Sequence, residues 1–148
     1  MCRVARVEDV DAIYRLGLEI HGESRFKVMN VDETKAKHFF RMCVEQDCYL
    51  ALVVEVEGEI VGVFIGMVME HFFSYDKQSS DLLLFVTKSM RSRGLAKVFI
   101  EHYIEWAESN GAKLIQAGVS TGIATDDSTE MYKKLGFSVF GSLFERVK

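Results

Sequence analysis

Two stretches of this chain combine residue types at spacings that can do chemistry. The first runs from Val86 to Ala96, V-T-K-S-M-R-S-R-G-L-A. An apolar run, Asp81 to Val86, ends there. Arg91-Ser92-Arg93-Gly94 interrupts the pattern, and an amphipathic helix starts at Leu95. The first N–H groups of a helix have no partner inside it, and its dipole favours negative charge at that end. Gly94 lets a ligand approach the backbone closely, and Arg91, Arg93 and Lys97 add positive charge. The junction suits an anion, with a pyrophosphate as the natural guest. The same residues also fit an ordinary helix start with solvated arginines.

The second stretch is Met131 to Phe137, M-Y-K-K-L-G-F, one expected strand further on. Tyr132 sits on a short helix that a turn glycine, Gly136, brings to an end. A tyrosine with its ordinary pKa of about 10 stays protonated at neutral pH and can serve as an acid. Tyr132 equally fits an amphipathic core position. Among the carboxylates, Asp81 opens the central apolar strand and is the candidate base, although it fits a solvated surface position as well. Glu70 and His71, at the end of the preceding strand, and Glu23 also fit a solvated surface. His102 falls on the apolar stripe of a helix, with Leu95, Val98, Phe99, Tyr103 and Trp106, and reads as a core histidine. The spacing His38-x4-Cys43-x4-Cys48 matches none of the usual zinc patterns, so no metal site is expected.

The elements that must position these residues follow from hydrophobic period. Cys2 to Val7 reads as a first strand. Asp9 then caps a helix carrying Val10, Ile13, Leu16 and Ile20, which ends at Gly22-Glu23-Ser24. Asp32 caps a second helix carrying Ala36, Phe39, Phe40 and Cys43. Tyr49–Val56 and Glu59–Met69 read as a hairpin turning at Glu57-Gly58. His71 to Ser80 reads as a loop, and Asp81–Val86 as a strand buried on both faces. A helix from Leu95 to Asn110-Gly111, a strand from Lys113 to Val119 and a short helix capped by Asp126 or Asp127 follow. Phe137–Val147 reads as the last strand or pair of strands, bending at Gly141. The order β-α-α-β-β-β-α-β-α-β(-β) predicts an α/β fold, a mixed central sheet with helices on both faces.

The 148 residues point to a single domain over 1–148, large enough for its own core. With 11 Phe and 49% hydrophobic residues the chain is not of the disordered class. The net charge of −4 argues against a general nucleic-acid binder and weakly favours a cationic small-molecule or peptide partner. No apolar run approaches the roughly 20 residues of a membrane span. The start has no apolar signal core, and the three cysteines describe no disulfide framework, so a cytoplasmic location is expected.

Taken in this order, the two stretches closely resemble the GNAT family of acetyl-CoA-dependent N-acetyltransferases. Arg91, Gly94 and Ala96 match that family's pyrophosphate motif, Gln/Arg-x-x-Gly-x-Gly/Ala, and Tyr132 to Phe137 look like its Tyr-x-Lys-x-Gly-Phe segment. The segments Ile20–Ser24, Phe72–Ser74 and Gly118–Gly122 also resemble GNAT proteins encoded by bacteriophages. The resemblance implies a GNAT-like (acyl-CoA N-acyltransferase) fold over nearly the whole chain. It implies transfer of an acetyl group from acetyl-CoA, a cosubstrate, to a primary amine by direct attack. On that likeness the pyrophosphate rests on the N–H groups of Arg91, Ser92, Arg93, Gly94, Leu95 and Ala96, beside Lys97. The pantetheine arm runs along Phe85, Val86 and Thr87 like an added strand. A backbone N–H at or beside Val86 serves the oxyanion, a role worth about 2.7–4 kcal/mol. Tyr132 touches the cofactor and protonates the departing thiolate. Two positions depart from the family: Lys88 stands where proline is frequent, and Thr125 where an asparagine often contacts the cofactor.

The acceptor, a small-molecule or peptide amine, is expected between Ile20–Asn30 and His71–Gln78, which carry Phe26, Phe72, Phe73 and Tyr75. A second reading is a module that binds acetyl-CoA as a sensor or scaffold without turnover. A homodimer formed through Phe137–Phe144 is a third expectation.

Overall fold

A computed structural model describes residues 1–123 and 125–148. Five strands, β1 (Cys2–Val4), β2 (Tyr49–Val56), β3 (Glu59–Glu70), β4 (Lys77–Val86) and β5 (Ala112–Gln116), form one sheet in chain order. The first four pair antiparallel, and β4 pairs with β5 in parallel. The helices are α1 (Val10–Glu23), α2 (Glu33–Glu45), α3 (Leu95–Ser109) and α4 (Thr125–Lys134).

The alternation of apolar residues along the strands builds a core on each face. Ala51, Val53, Val63, Ile65 and Phe85 point to α1 and α2, meeting Ile13, Leu16, Ile20, Phe40 and Cys43. Leu50, Leu52, Val54, Phe64 and Val86 point the other way, to Phe99, Ile100, Tyr103 and Ala107 of α3 and Tyr132 of α4. The expected mixed sheet with helices on both faces is therefore what the sequence forms. Glu57 (φ 51) and Gly58 (φ 81) both have positive φ, as the tightest hairpin turns require. Asp32 caps α2, its carboxylate accepting from the Lys35 N–H at 2.8 Å.

Six expectations are corrected. β1 ends at Val4 rather than Val7. Asp9 does not cap α1 with its side chain; its carboxylate accepts from the Arg6 N–H and takes both ends of the Arg3 guanidinium, at 2.7 and 3.0 Å. That cluster turns the chain at Val7–Asp9 and cuts the strand short. β4 begins at Lys77, inside the expected loop, because Lys77–Ser80 is held between two partner strands despite its polar sequence. Asp126 and Asp127 lie in the first turn of α4, so neither caps it. His102 is exposed, one position off the buried row of Phe99, Tyr103 and Ala107.

The sixth correction concerns Phe137–Val147, which forms no strand. The segment has the composition of a strand but lies on no sheet edge, and a strand needs a ladder partner as well as a pattern. The chain instead runs back to the α1–α2 connection, where Glu145 pairs with Arg25 at 2.6 Å. Phe140 is left 80% exposed and Phe144 95% exposed. Among the described residues, no helix is long and apolar enough to cross a membrane.

Candidate functional site

The site is built where two parallel strands part. β4 and β5 pair from Lys77↔Ala112 to Ser80↔Gln116. There β5 ends, while β4 continues to Val86 along β3 alone. A bulge marks the place: Ile65 faces Leu83 and Gly66 faces Asp81, so Leu82 is the extra residue that bends β4. Tyr103 of α3, fully buried, secures the fork. Its hydroxyl shares hydrogen bonds with Ser79 Oγ (3.0 Å) and the Gln116 carbonyl (2.8 Å). Gly66 makes room for it, since a Cβ there would stand 3.0 Å from the Tyr103 ring. The result is a cleft with residues 81–86 as one wall and 117–121 as the other.

Asp81 spans the head of this cleft, Oδ1 accepting from the Gly118 N–H at 2.9 Å. Burial pushes its carboxyl up to about 6, outweighing the two backbone N–H groups that hold it down. Tyr132 of α4 is 8% exposed, and its hydroxyl has no hydrogen-bond partner among the described residues. Burial raises its pKa further above the usual tyrosine value, and the neighbouring Asp81 and Tyr103 add to the rise. The end of α4 fixes the ring. Gly136 (φ 92) adopts the left-handed conformation, the Phe137 N–H bonds the Tyr132 carbonyl at 3.0 Å and the Gly136 N–H that of Lys133 at 3.1 Å. This two-bond helix stop brings Phe137 edge-on to Tyr132, ring centroids 5.4 Å apart. The Tyr-x-Lys-x-Gly-Phe spacing is thus the geometry of a helix terminus that holds a tyrosine still.

At the far end of β4 the chain forms a cradle of backbone N–H groups. Ser92 (φ 66) and Gly94 (φ 76) are both left-handed, alternating with ordinary neighbours. Successive N–H groups in such a turn converge on one point. Those of Ser92, Arg93 and Gly94 are unpaired among the described residues, and the first bond of α3 is Val98 N–H to Gly94. Leu95, Ala96 and Lys97 therefore also offer free first-turn N–H groups. The space above the Gly94 Cα is empty, as a ligand touching the backbone there needs. These residues fit a pyrophosphate. The cations divide: Arg93 and Lys97 are exposed, whereas Arg91 is engaged by the protein. Its Nε donates to the Val86 carbonyl at 3.0 Å, its Nη2 pairs with Glu23 at 2.9 Å, and its guanidinium lies over Phe85.

The other expected residues fall as follows. Phe85 and Val86 are buried at the end of β4, and Thr87 gives its hydroxyl to Glu19 Oε1 at 2.6 Å. Thr125 is the exposed first residue of α4, its carbonyl accepting from Thr129 at 2.8 Å. The turn His71–Asp76 is separated from Asp81 by about 13 Å of strand. Phe72, Phe73 and Tyr75 are exposed there, the two phenylalanines packing on His71 and on each other. The α1–α2 connection instead forms a cleft of about 380 Å³ with the C-terminal segment, lined by Arg25, Phe26, Met29, Glu145 and Val147. Ser79, Tyr103, Gln116 and Glu19 escaped the sequence reading as site residues. Only the helical stripe containing Tyr103 marked any of them, and it marked a core position. Cys43 is buried, its thiol pushed up to about 12 by burial, and so is chemically quiet.

Comparison with known proteins agrees with this layout. A model of the acetyltransferase (GNAT) family matches residues 11–137. A Methanocaldococcus jannaschii protein named an uncharacterized N-acetyltransferase is 28% identical over 104 residues, 69% of this chain and 45% of its own. The chain thus spans under half the length of that relative. An aminoglycoside acetyltransferase from an uncultured soil sample superposes with a TM-score of 0.73 at 23% identity, covering 100% of this chain and 97% of the other. A transcriptional regulator from Bacillus halodurans reaches 0.80 at 16% identity, covering 100% and 99%. At such identities the two structures show a shared fold and nothing finer.

Proposed function

Because the chain belongs to the acetyltransferase (GNAT) family, we propose that it transfers an acetyl group from acetyl-CoA to a primary amine, with Asp81 as base and Tyr132 as acid. The observation that carries this reading is the conjunction at one cleft: an open N–H cradle at its mouth, an unpaired β4 edge along it, and Asp81 beside Tyr132 at its head. Acetyl-CoA supplies a thioester whose pyrophosphate suits the Ser92–Lys97 cradle and whose extended arm suits the free edge of β4 at Phe85–Thr87.

The chain's own groups then have distinct tasks. Asp81, titrating at about 6, is ionised at neutral pH and takes the proton of the attacking amine. The amine nitrogen bonds to the carbonyl carbon, and a backbone N–H on the open side of β4 meets the charge growing on the carbonyl oxygen. The carbon–sulfur bond breaks, and Tyr132 gives its proton to the thiolate. The two groups are coupled. The Asp81 charge helps to hold the proton on Tyr132, so protonating Asp81 makes Tyr132 a better acid as the leaving group departs. Return of the proton from Asp81 to Tyr132 through water resets the site, and an acetylated amine and a free thiol are the products.

The test is thiol release from acetyl-CoA across a panel of amines, repeated with Tyr132→Phe. The variant is expected to lose at least tenfold in kcat while its affinity for acetyl-CoA changes less than twofold. Unchanged turnover removes Tyr132 from the role. Acetyl-CoA binding with no thiol release on any amine favours a sensor or scaffold.

A further inference from the structure

The cleft between β4 and β5 is open at its mouth, yet one three-residue segment touches both walls. Glu23 is the last residue of α1, and Arg25 begins the turn that follows. Ser24 between them is a fixed corner: it is 2% exposed, its N–H bonds the Ile20 carbonyl at 2.9 Å and its Oγ accepts from the Phe26 N–H at 3.2 Å. From this corner Glu23 reaches the β4 wall, pairing with Arg91, which in turn holds the carbonyl of Val86, the last residue of β4. Glu19, one turn back on α1, adds the Thr87 hydroxyl. Arg25 reaches the opposite wall. Its N–H donates to the Thr121 carbonyl at 3.1 Å and its Nε to the Ser120 carbonyl. Among the described residues, no ladder bond joins the walls beyond Ser80 and Gln116. Asp81 ties them at the head; residues 23–25 tie them at the mouth.

We propose that Glu23 and Arg25 are positioning residues, a strap across the mouth of the cleft that fixes the separation of its two walls. The proposal rests on the acetyl-CoA reading above. It gives Arg91 a different task from its exposed neighbours. Arg91 braces β4 against α1, and the charge that meets the anion comes from Arg93, Lys97 and the backbone N–H groups. A ligand that lies along the cleft depends on the strap. One that touches only the cradle does not.

Two probes separate these cases by calorimetric titration. Acetyl-CoA reaches from the cradle into the cleft, whereas adenosine diphosphate offers a pyrophosphate without the arm. Glu23→Gln and Arg25→Gln are each expected to weaken acetyl-CoA about fivefold, the scale of one partly exposed charged hydrogen bond, and to change adenosine diphosphate less than twofold. The double variant is expected to lose no more than about tenfold, short of the roughly 25-fold of independent sites, because loosening the side chains at one end already loosens the other, the Arg25 N–H staying on Thr121 in every variant. Arg25→Lys, which lacks the Nε donor, replaces Arg25→Gln if that variant fails to fold. Glu145→Gln, which neutralises only the partner of Arg25 in the C-terminal segment, is expected to bind as wild type.

Equal losses for both probes would make Glu23 a local support of the cradle and overturn the strap. Multiplying losses, or none, would overturn it as well. A wild-type chain that binds acetyl-CoA beside indifferent variants refutes the strap alone. A wild-type chain that ignores acetyl-CoA refutes the functional reading, and the strap with it.

Discussion

Asp81→Asn should stabilise the protein at neutral pH while removing its activity. In the folded chain the Asp81 carboxyl is pushed from 3.8 up to about 6 by burial. At about 1.36 kcal/mol per pH step, keeping it charged above pH 6 costs the fold at most about 3 kcal/mol. Solvent reaching the half-buried carboxylate reduces that figure. The sign follows from proton binding. The folded pKa lies above the unfolded one, so the folded chain holds more protons between them, and stability falls as pH rises from about 4 to about 6. Asparagine keeps an oxygen for the Gly118 N–H and carries no charge. Urea unfolding of both proteins is expected to show the variant about 1–3 kcal/mol more stable at pH 7.5, with the difference shrinking to about 1 kcal/mol or less at pH 4.5. In thiol-release assays the wild type should gain activity through about pH 6, and the variant should lack that rise. A variant less stable at pH 7.5, or a difference equal at both pH values, would refute a desolvated carboxylate at the head of the cleft.

Three further outcomes follow from the geometry. Gly94→Ala places a side chain on a residue at φ 76, which costs about 1–2 kcal/mol; with its methyl over the cradle, calorimetry should show acetyl-CoA affinity down at least tenfold. Gly66→Ala puts a methyl 3.0 Å from the rings of Tyr103 and Phe64; overpacking of this kind costs about 1–3 kcal/mol, so the melting midpoint should fall by about 2–12 °C. The exposed Phe140 and Phe144 are proposed to pair with a second copy of the chain. Light scattering should give a two-chain mass that Phe144→Asp halves, and a wild-type single-chain mass would contradict it.

Much of this architecture was readable from the residues because local chemistry decided it. The primed turn at Glu57-Gly58, the Asp32 cap and the Gly136 stop each follow from short-range geometry, and all three stand where the sequence puts them. The turn at Gly94 was readable for the same reason, although the other left-handed residue, Ser92, is no glycine to announce it. What stayed hidden depends on distant partners. Lys77–Ser80 is polar and becomes strand only between β3 and β5. Ser79 and Tyr103 meet across 24 positions of sequence, and Glu23 and Arg91 across 68. Phe137–Val147 shows the converse case, a strand pattern without an edge to join.

If the cleft and its cradle hold acetyl-CoA, the melting midpoint must rise when acetyl-CoA is added to saturation. At about 100 times the dissociation constant a ligand adds about 2.7 kcal/mol. For a domain of this size each kcal/mol moves the midpoint by about 2–4 °C, so a rise of about 5–11 °C is expected. A well-folded protein whose midpoint does not move would leave Ser92–Lys97 an ordinary helix start and would contradict the account at its base.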